Sequence, residues 1–122
     1  MGKFVISATA TGFKFALKAG NGETIATSEI YSTQAACIKG AESVAKVAPE
    51  ANLADLTVGG EATNPKFELY EDKGGQFRFR LCASNGQNLL TCTQGYTTKP
   101  ACKKGIASVI ANCEGRIEVS KE

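Results

Sequence analysis

Phe13-Lys14-Phe15-Ala16-Leu17-Lys18-Ala19-Gly20-Asn21-Gly22 is answered later in the chain by Phe77-Arg78-Phe79-Arg80-Leu81-Cys82-Ala83-Ser84-Asn85-Gly86. Each stretch alternates. Phe13, Phe15, Leu17 and Ala19 point one way, and Lys14, Ala16 and Lys18 the other; Phe77, Phe79, Leu81 and Ala83 oppose Arg78, Arg80 and Cys82. A period of two over this length describes a strand with one buried face, and the phenylalanine face is the inner one. A second echo follows. Tyr31-Ser32-Thr33-Gln34-Ala35-Ala36-Cys37-Ile38-Lys39-Gly40 returns as Tyr96-Thr97-Thr98-Lys99-Pro100-Ala101-Cys102-Lys103-Lys104-Gly105. An internal repeat sets the architecture before any single element does. Each copy, at about 60 residues, is too small to bury much apolar surface alone. The 122-residue chain is therefore expected to close two copies around one shared core.

Outward from these strands, each copy opens with another, Phe4-Val5-Ile6-Ser7 in the first and Phe67-Glu68-Leu69-Tyr70 in the second. Polar turns follow at Thr9–Gly12 and Asp72–Gly75. Asn21-Gly22 and Asn85-Gly86 suit a two-residue type I′ turn, whose two positions need positive φ. Third strands are expected over Glu23–Ser28 and Gln87–Cys92. A two-residue turn sets Leu17 opposite Ala26 and Leu81 opposite Leu90, and it turns Ile25 and Leu89 outward. Either that face is covered as well, or a bulge shifts the register.

Helices are expected over Gln34–Val47 and Lys99–Asn112. Thr33 and Thr98 stand as N-caps, and Pro100 lies in a first turn, where its missing N–H costs nothing. The buried stripes read Ala36, Gly40, Ala41, Val44 and then Val47 or Ala48, and Ala101, Gly105, Ile106, Val109 and then Ile110 or Cys113. Gly40 and Gly105, in mid-helix, point to close helix-to-sheet approach. Tyr31 and Tyr96 are expected to pack their rings against the helix starts. Short strands follow at Asn52–Val58 and Arg116–Ser120. The copies thus span residues 1–58 and 67–122, with the Gly- and Pro-bearing segment 59–66 as linker.

These elements resemble the YegP-like family, an uncharacterised family whose members carry the unit once or in tandem. The resemblance rests on Phe77-Arg78-Phe79-Arg80-Leu81, Ala83-Ser84-Asn85-Gly86-Gln87, Thr91, Gly95-Tyr96, Ala101-Cys102 and Gly105-Ile106-Ala107-Ser108-Val109. The first copy carries it through Phe15–Ala19, Asn21-Gly22-Glu23, Ser28-Glu29, Tyr31-Ser32, Ala35-Ala36 and Glu42-Ser43-Val44. It implies an α+β fold: two tandem β-β-β-α-β repeats forming one mostly antiparallel sheet. Both helices would pack on one face, and the C-terminal strands would be swapped between repeats. It implies no activity. The first copy departs from the pattern at Ile30, where the second has Gly95, and at Ala16, where the second has Arg80.

The chemistry is limited by what is missing. The chain has no histidine, which removes Ser-His-Asp, Cys-His and His-ligated metal sites. Cys82, Cys92 and Cys102 stand ten apart, far from a C-x-x-C spacing. No metal or other cofactor is expected, and no phosphate loop is present. Cys37 and Cys102 fall in first helical turns, where a thiol pKa can drop, though a small buried apolar role is the plainer reading. Glu68, Glu71 and Asp72 cluster beside a turn but have nothing to split their pKa values, so a solvated strand edge is expected. An enzyme is the least favoured class.

Five cysteines without a secretion signal fit a reduced, cytoplasmic setting. Met1–Ile6 turns polar at Ser7, too soon for a signal core, and Ile6 occupies the position where an N-myristoylation signal carries Ser or Thr. No stretch reaches the roughly 18 apolar residues of a spanning helix, so no membrane is expected. The net charge of +2 neither demands nor forbids an anionic partner. The leading expectation is a non-catalytic binding or interaction module, a monomer with internal pseudo-two-fold symmetry and a protein or nucleic-acid partner. The candidate binding residues are Lys14, Lys18, Arg78 and Arg80, all opposite the phenylalanines on one outer sheet face. That basic face raises nucleic-acid binding as the alternative, although single-strand platforms also expose aromatic rings for stacking.

Overall fold

The alternation of Phe13–Lys18 becomes the second strand of an eight-stranded sheet. The computed structural model describes residues 2–119. Its elements run β1 (Lys3–Ala8), β2 (Phe13–Lys18), β3 (Thr24–Thr27), α1 (Gln34–Val47), β4 (Asn52–Asp55), β5 (Lys66–Glu71), β6 (Phe77–Cys82), β7 (Asn88–Cys92), α2 (Lys99–Asn112) and β8 (Arg116–Val119). The fold is mixed α+β, with one sheet and two helices. The strands lie in the order β4-β5-β6-β7-β3-β2-β1-β8. β4 runs parallel to β5, and β8 parallel to β1. The other five pairings are antiparallel. At the centre β3 meets β7, with Ala26 opposite Cys92 and Thr27 opposite Thr91.

The hairpin turns differ from the expected type I′. Gly22 and Gly86 both have φ 87°, but no non-glycine residue among those described has positive φ. Asn21 therefore cannot take the first turn position. Its Oδ1 instead accepts a hydrogen bond from Glu23 N at 2.9 Å, the local pairing that Asn side chains favour in turns. Ala19 N donates to Glu23 O, and Gly22 N to Ala19 O, both at 2.9 Å. The loop is thus three residues long, with its glycine left-handed. The register makes up the difference at a bulge. Leu17 opposes Ala26, but Lys18 opposes Thr24, leaving Ile25 as the extra residue. The second copy repeats this with Leu81 opposite Leu90, Cys82 opposite Asn88, and Leu89 extra. Of the two explanations open for Ile25 and Leu89, the bulge holds: they are 8% and 3% exposed, and both join the core.

The helices span the expected residues. Thr33 Oγ1 accepts from Ala36 N at 3.1 Å, and Thr98 Oγ1 from Ala101 N at 3.2 Å. The buried stripe is as expected except at its first position, where Cys37 and Cys102 replace Ala36 and Ala101. Cys37, Gly40, Ala41, Val44 and Ala48 face inward on the first, and Cys102, Gly105, Ile106, Val109 and Cys113 on the second; Ala36 and Ala101 are only half-buried. β4 is shorter than the strand expected over Asn52–Val58. Asp55 Oδ1 accepts from Thr57 N at 3.0 Å, Gly60 N donates to Asp55 O at 2.9 Å, and Leu56–Val58 coil into a 3-10 turn. β8 is seen to Val119; Ser120 lies outside the described residues.

One core takes residues from both helices and all three hairpin strands of each half. Phe4 meets Phe15 edge-on at 5.6 Å, and Phe67 meets Phe79 at 6.2 Å. Tyr31 stacks on Phe15 at 6.2 Å and Tyr96 on Phe79 at 6.3 Å. Backbone bonds hold the tyrosines there: Phe13 N donates to Tyr31 O and Phe77 N to Tyr96 O, each at 2.8 Å. Their rings lie against mid-helix rather than the helix starts. A Cβ on Gly105 would fall 2.8 Å from Tyr96 Cζ, and one on Gly40 2.7 Å from Tyr31 Cζ. The glycines are where the tyrosines fit. Both helices pack on the phenylalanine side, so the opposite sheet face carries neither α1 nor α2.

Candidate functional site

Strand register aligns the outward residues of that uncovered face. Val5, Ala16, Thr27, Thr91, Arg80 and Glu68 are successive cross-strand partners through β1, β2, β3, β7, β6 and β5. Lys14 lies opposite Ser7, and Lys18 opposite Lys3. Arg78 lies opposite Tyr70. All four cations expected on this face are on it, Lys14 and Lys18 in one half and Arg78 and Arg80 in the other.

Their surroundings differ by half. Arg80 Nε donates to Glu68 Oε1 at 2.6 Å, and Lys66 Nζ lies 3.3 Å from Glu68 Oε2. The Arg80 guanidinium also sits 4.9 Å from the centre of the Tyr70 ring. Arg78 Nε donates to Asp72 Oδ2 at 2.7 Å. Burial pushes the Glu68 carboxyl up, but hydrogen bonds and charge from Arg80 and Lys66 outweigh it and leave the pKa below the ordinary value. The hydrogen bond from Arg78, helped by the Gln76 and Gly74 amides, lowers Asp72. The acidic cluster is thus not a solvated strand edge. β5 is an interior strand, and two of the three carboxylates hold the two arginines.

The first half has no such lattice. Val5 stands where the second half has Glu68, Ala16 where it has Arg80, and Ser7 where it has Tyr70. Among the described residues, no carboxylate lies within ion-pair distance of Lys14 or Lys18. Lys3 and Arg116 share Glu118, at 3.2 Å and 3.1 Å. The sequence reading found the cations but missed their pairing. The signal was there: Glu68 and Arg80 have outward parity on strands joined by a short turn, and opposite charges facing each other stabilise a sheet.

All five cysteines are free and buried. Burial pushes the Cys102 thiol up to about 11, and it raises Cys37 too, overriding any lowering from their first-turn positions. No group of three or more Cys, Asp or Glu able to hold a metal exists among the described residues. A cleft of about 310 Å³ on the helix side is lined by Glu23, Ile25, Gln94, Tyr96, Lys104 and Gly105. No described helix is long and apolar enough to cross a membrane.

Comparison with known proteins finds one family profile twice in the chain. The profile of a domain of unknown function, DUF1508, matches residues 8–55 and again 72–116. The UPF0339 protein YegP of Shigella flexneri is 41% identical over 103 residues, covering 82% of this chain and 78% of that protein. A UPF0339 protein of Bordetella pertussis is 36% identical over 114 residues, covering 93% of this chain and 90% of that one. The solution structure of YegP from E. coli, a protein of unknown function, matches with a TM-score of 0.79 at 34% identity, over 98% of this chain and 92% of that one. That of a UPF0339 protein from Shewanella oneidensis matches with 0.77 at 32% identity, over 97% and 90%.

Proposed function

The chain belongs to the YegP-like DUF1508 family, a family of unknown function, and we propose that it is a small non-catalytic interaction module that engages its partner through the uncovered sheet face. One observation carries this reading: a sheet face on which Lys14 and Lys18 have no carboxylate within ion-pair distance among the described residues, while both helices lie on the other side. The absence of histidine and the buried, proton-holding thiols support the non-enzymatic part. A photo-crosslinking residue at Ala16 tests it. A discrete adduct in cell extract from this position, and none from Lys39 on the exposed side of α1, is the expected result. No adduct from Ala16 overturns the reading.

We read residues 1–58 and 67–122 as two β-β-β-α-β copies, joined by 59–66, that exchange their last strands to make a monomeric pseudo-dimer. The parallel β4–β5 and β1–β8 pairings support the exchange. Five unpaired cysteines support a reducing, cytoplasmic setting.

Nucleic-acid binding through Lys14, Lys18, Arg78 and Arg80 is the second reading, favoured by their common face. Two features weigh against it: the arginines already hold carboxylates, and Tyr70, the one ring on the face among the described residues, is covered by Arg80. Anisotropy with labelled single-stranded and duplex oligonucleotides at two salt concentrations tests it. Binding that weakens with salt and with loss of the cations supports it; no binding removes it.

A further inference from the structure

The two halves of the uncovered face are related by the repeat but not by charge. In the β5–β6 half and its turn, Lys66, Arg78 and Arg80 stand against Glu68 and Asp72. In the β8–β1–β2 half, Lys3, Lys14, Lys18 and Arg116 stand against Glu118 alone among the described residues. Between these cations lie small uncharged side chains: Val5, Ser7 and Ala16, with Thr27 beyond. One half is closed by its own ion pairs, and the other presents a shallow floor fringed with positive charge. We propose that the β8–β1–β2 half is a docking site for an acidic protein segment, an extended run of alternating Glu or Asp. This rests on the sheet face being the contact surface, and it adds which half is used and what occupies it.

Spacing and surface chemistry favour that occupant. Lys14 and Lys18 are four residues apart on one strand, about 13 Å at the usual rise. Carboxylates four residues apart on an extended segment repeat at the same distance, so a segment laid along β2 meets both lysines. The small floor lets a backbone approach, and Ala16 leaves room where Arg80 fills the other half. A single-stranded nucleic acid would want a ring on which to stack bases. None of the outward residues named in this half is aromatic.

The test uses the intact chain and a fluorescein-labelled Glu-Ser repeat peptide, with its Gln-Ser counterpart and a single-stranded oligonucleotide of similar charge as comparators. The expected result is salt-sensitive binding of the Glu-Ser peptide, with affinity falling about tenfold between about 20 mM and about 200 mM salt. Backbone amide shifts should move at Val5, Lys14, Ala16 and Lys18, and stay in place at Glu68 and Arg80. Lys14→Gln with Lys18→Gln should weaken binding at least about tenfold. Ala16→Glu should abolish it and Ala16→Ser, which keeps the floor small and uncharged, should leave it unchanged, with the amide spectrum away from β1 and β2 showing that both variants fold. Tighter binding of the oligonucleotide on the same strands overturns the inference in favour of nucleic acid. Amide shifts on β5–β6, or no peptide binding, overturn it too. If peptide binding fails while the Ala16 photo-adduct forms, the docking chemistry is wrong and the interaction module stands. If both fail, both fall.

Discussion

Gly105 and Tyr96 are a matched pair, and the match has a measurable cost. Alanine is favoured over glycine in a helix interior by about 1 kcal/mol. At this position a Cβ would lie 2.8 Å from Tyr96 Cζ and 2.9 Å from Phe79 Cε2. The tyrosine is pinned by its backbone bond to Phe77, so the ring has little room to yield. Overpacking of this kind costs about 1–3 kcal/mol and should reverse the propensity gain. Gly105→Ala is therefore expected to destabilise the protein in urea unfolding. Gly40→Ala should cost a similar amount, because a Cβ there would lie 2.7 Å from Tyr31 Cζ and 3.2 Å from Phe15 Cε2. Tyr96→Leu should recover part of the Gly105→Ala loss. An additive double mutant would show that the ring is not the obstacle. Charge sets a second prediction at this scale. The folded-state pKa of Glu68 lies below its ordinary 4.5. Its ion pair therefore contributes stability above that value, and the contribution is lost as the pH falls through the depressed folded pKa. Glu68→Gln should lower the melting temperature at neutral pH and narrow the gap to wild type in acid. An equal gap at both pH values would remove Glu68 from the acid response.

At the scale of elements, legibility in the sequence tracked how local the deciding interaction was. The helices were readable because Thr33 and Thr98 close their own first turns. The β2 and β6 strands were readable because Phe15 and Phe79 alternate with cations. The turns before the third strands were misread because Asn-Gly fits two turn types, and the choice between them depends on where Ile25 and Leu89 can bury. A two-residue turn would have put both side chains into water. A three-residue loop and a bulge return them to the core, and tertiary burial decides the local geometry. The one change in the helix stripe, Cys37 and Cys102 in place of Ala36 and Ala101, has the same origin: the sheet's approach direction cannot be read from a helix alone. Leu89→Ala follows as a discriminating measurement. A core position predicts a loss of about 2–4 kcal/mol, whereas an outward strand position predicts almost none. A chemical unfolding curve within about 0.5 kcal/mol of wild type would contradict the bulge.

At the scale of the molecule, the sheet ends on each side in a parallel pair, β4 beside β5 and β8 beside β1. The direct seam between β3 and β7 is short, with two registered pairs and a bond from Thr93 N to Ile25 O at 3.2 Å. The helices reinforce it, α1 reaching β7 and α2 reaching β3 and β2, and Lys99 Nζ on α2 lies 3.1 Å from Asp55 Oδ2 at the end of β4. The repeat made this shared core legible. The asymmetry of the outer face was less so, because Val5 against Glu68 and Ala16 against Arg80 look like neutral drift until the register sets each pair side by side. The architecture predicts what cutting the linker does. A protease site inserted between Glu61 and Ala62, in an exposed connection, severs the chain without touching a strand. The fragments should then co-elute at the size of the intact protein and unfold in one transition, because each completes the other's sheet. The melting temperature should fall and become concentration-dependent, since closing the core is no longer intramolecular. Fragments that separate and each keep native circular dichroism would mean that the halves fold alone, and that the parallel end strands are attachments rather than part of a common core.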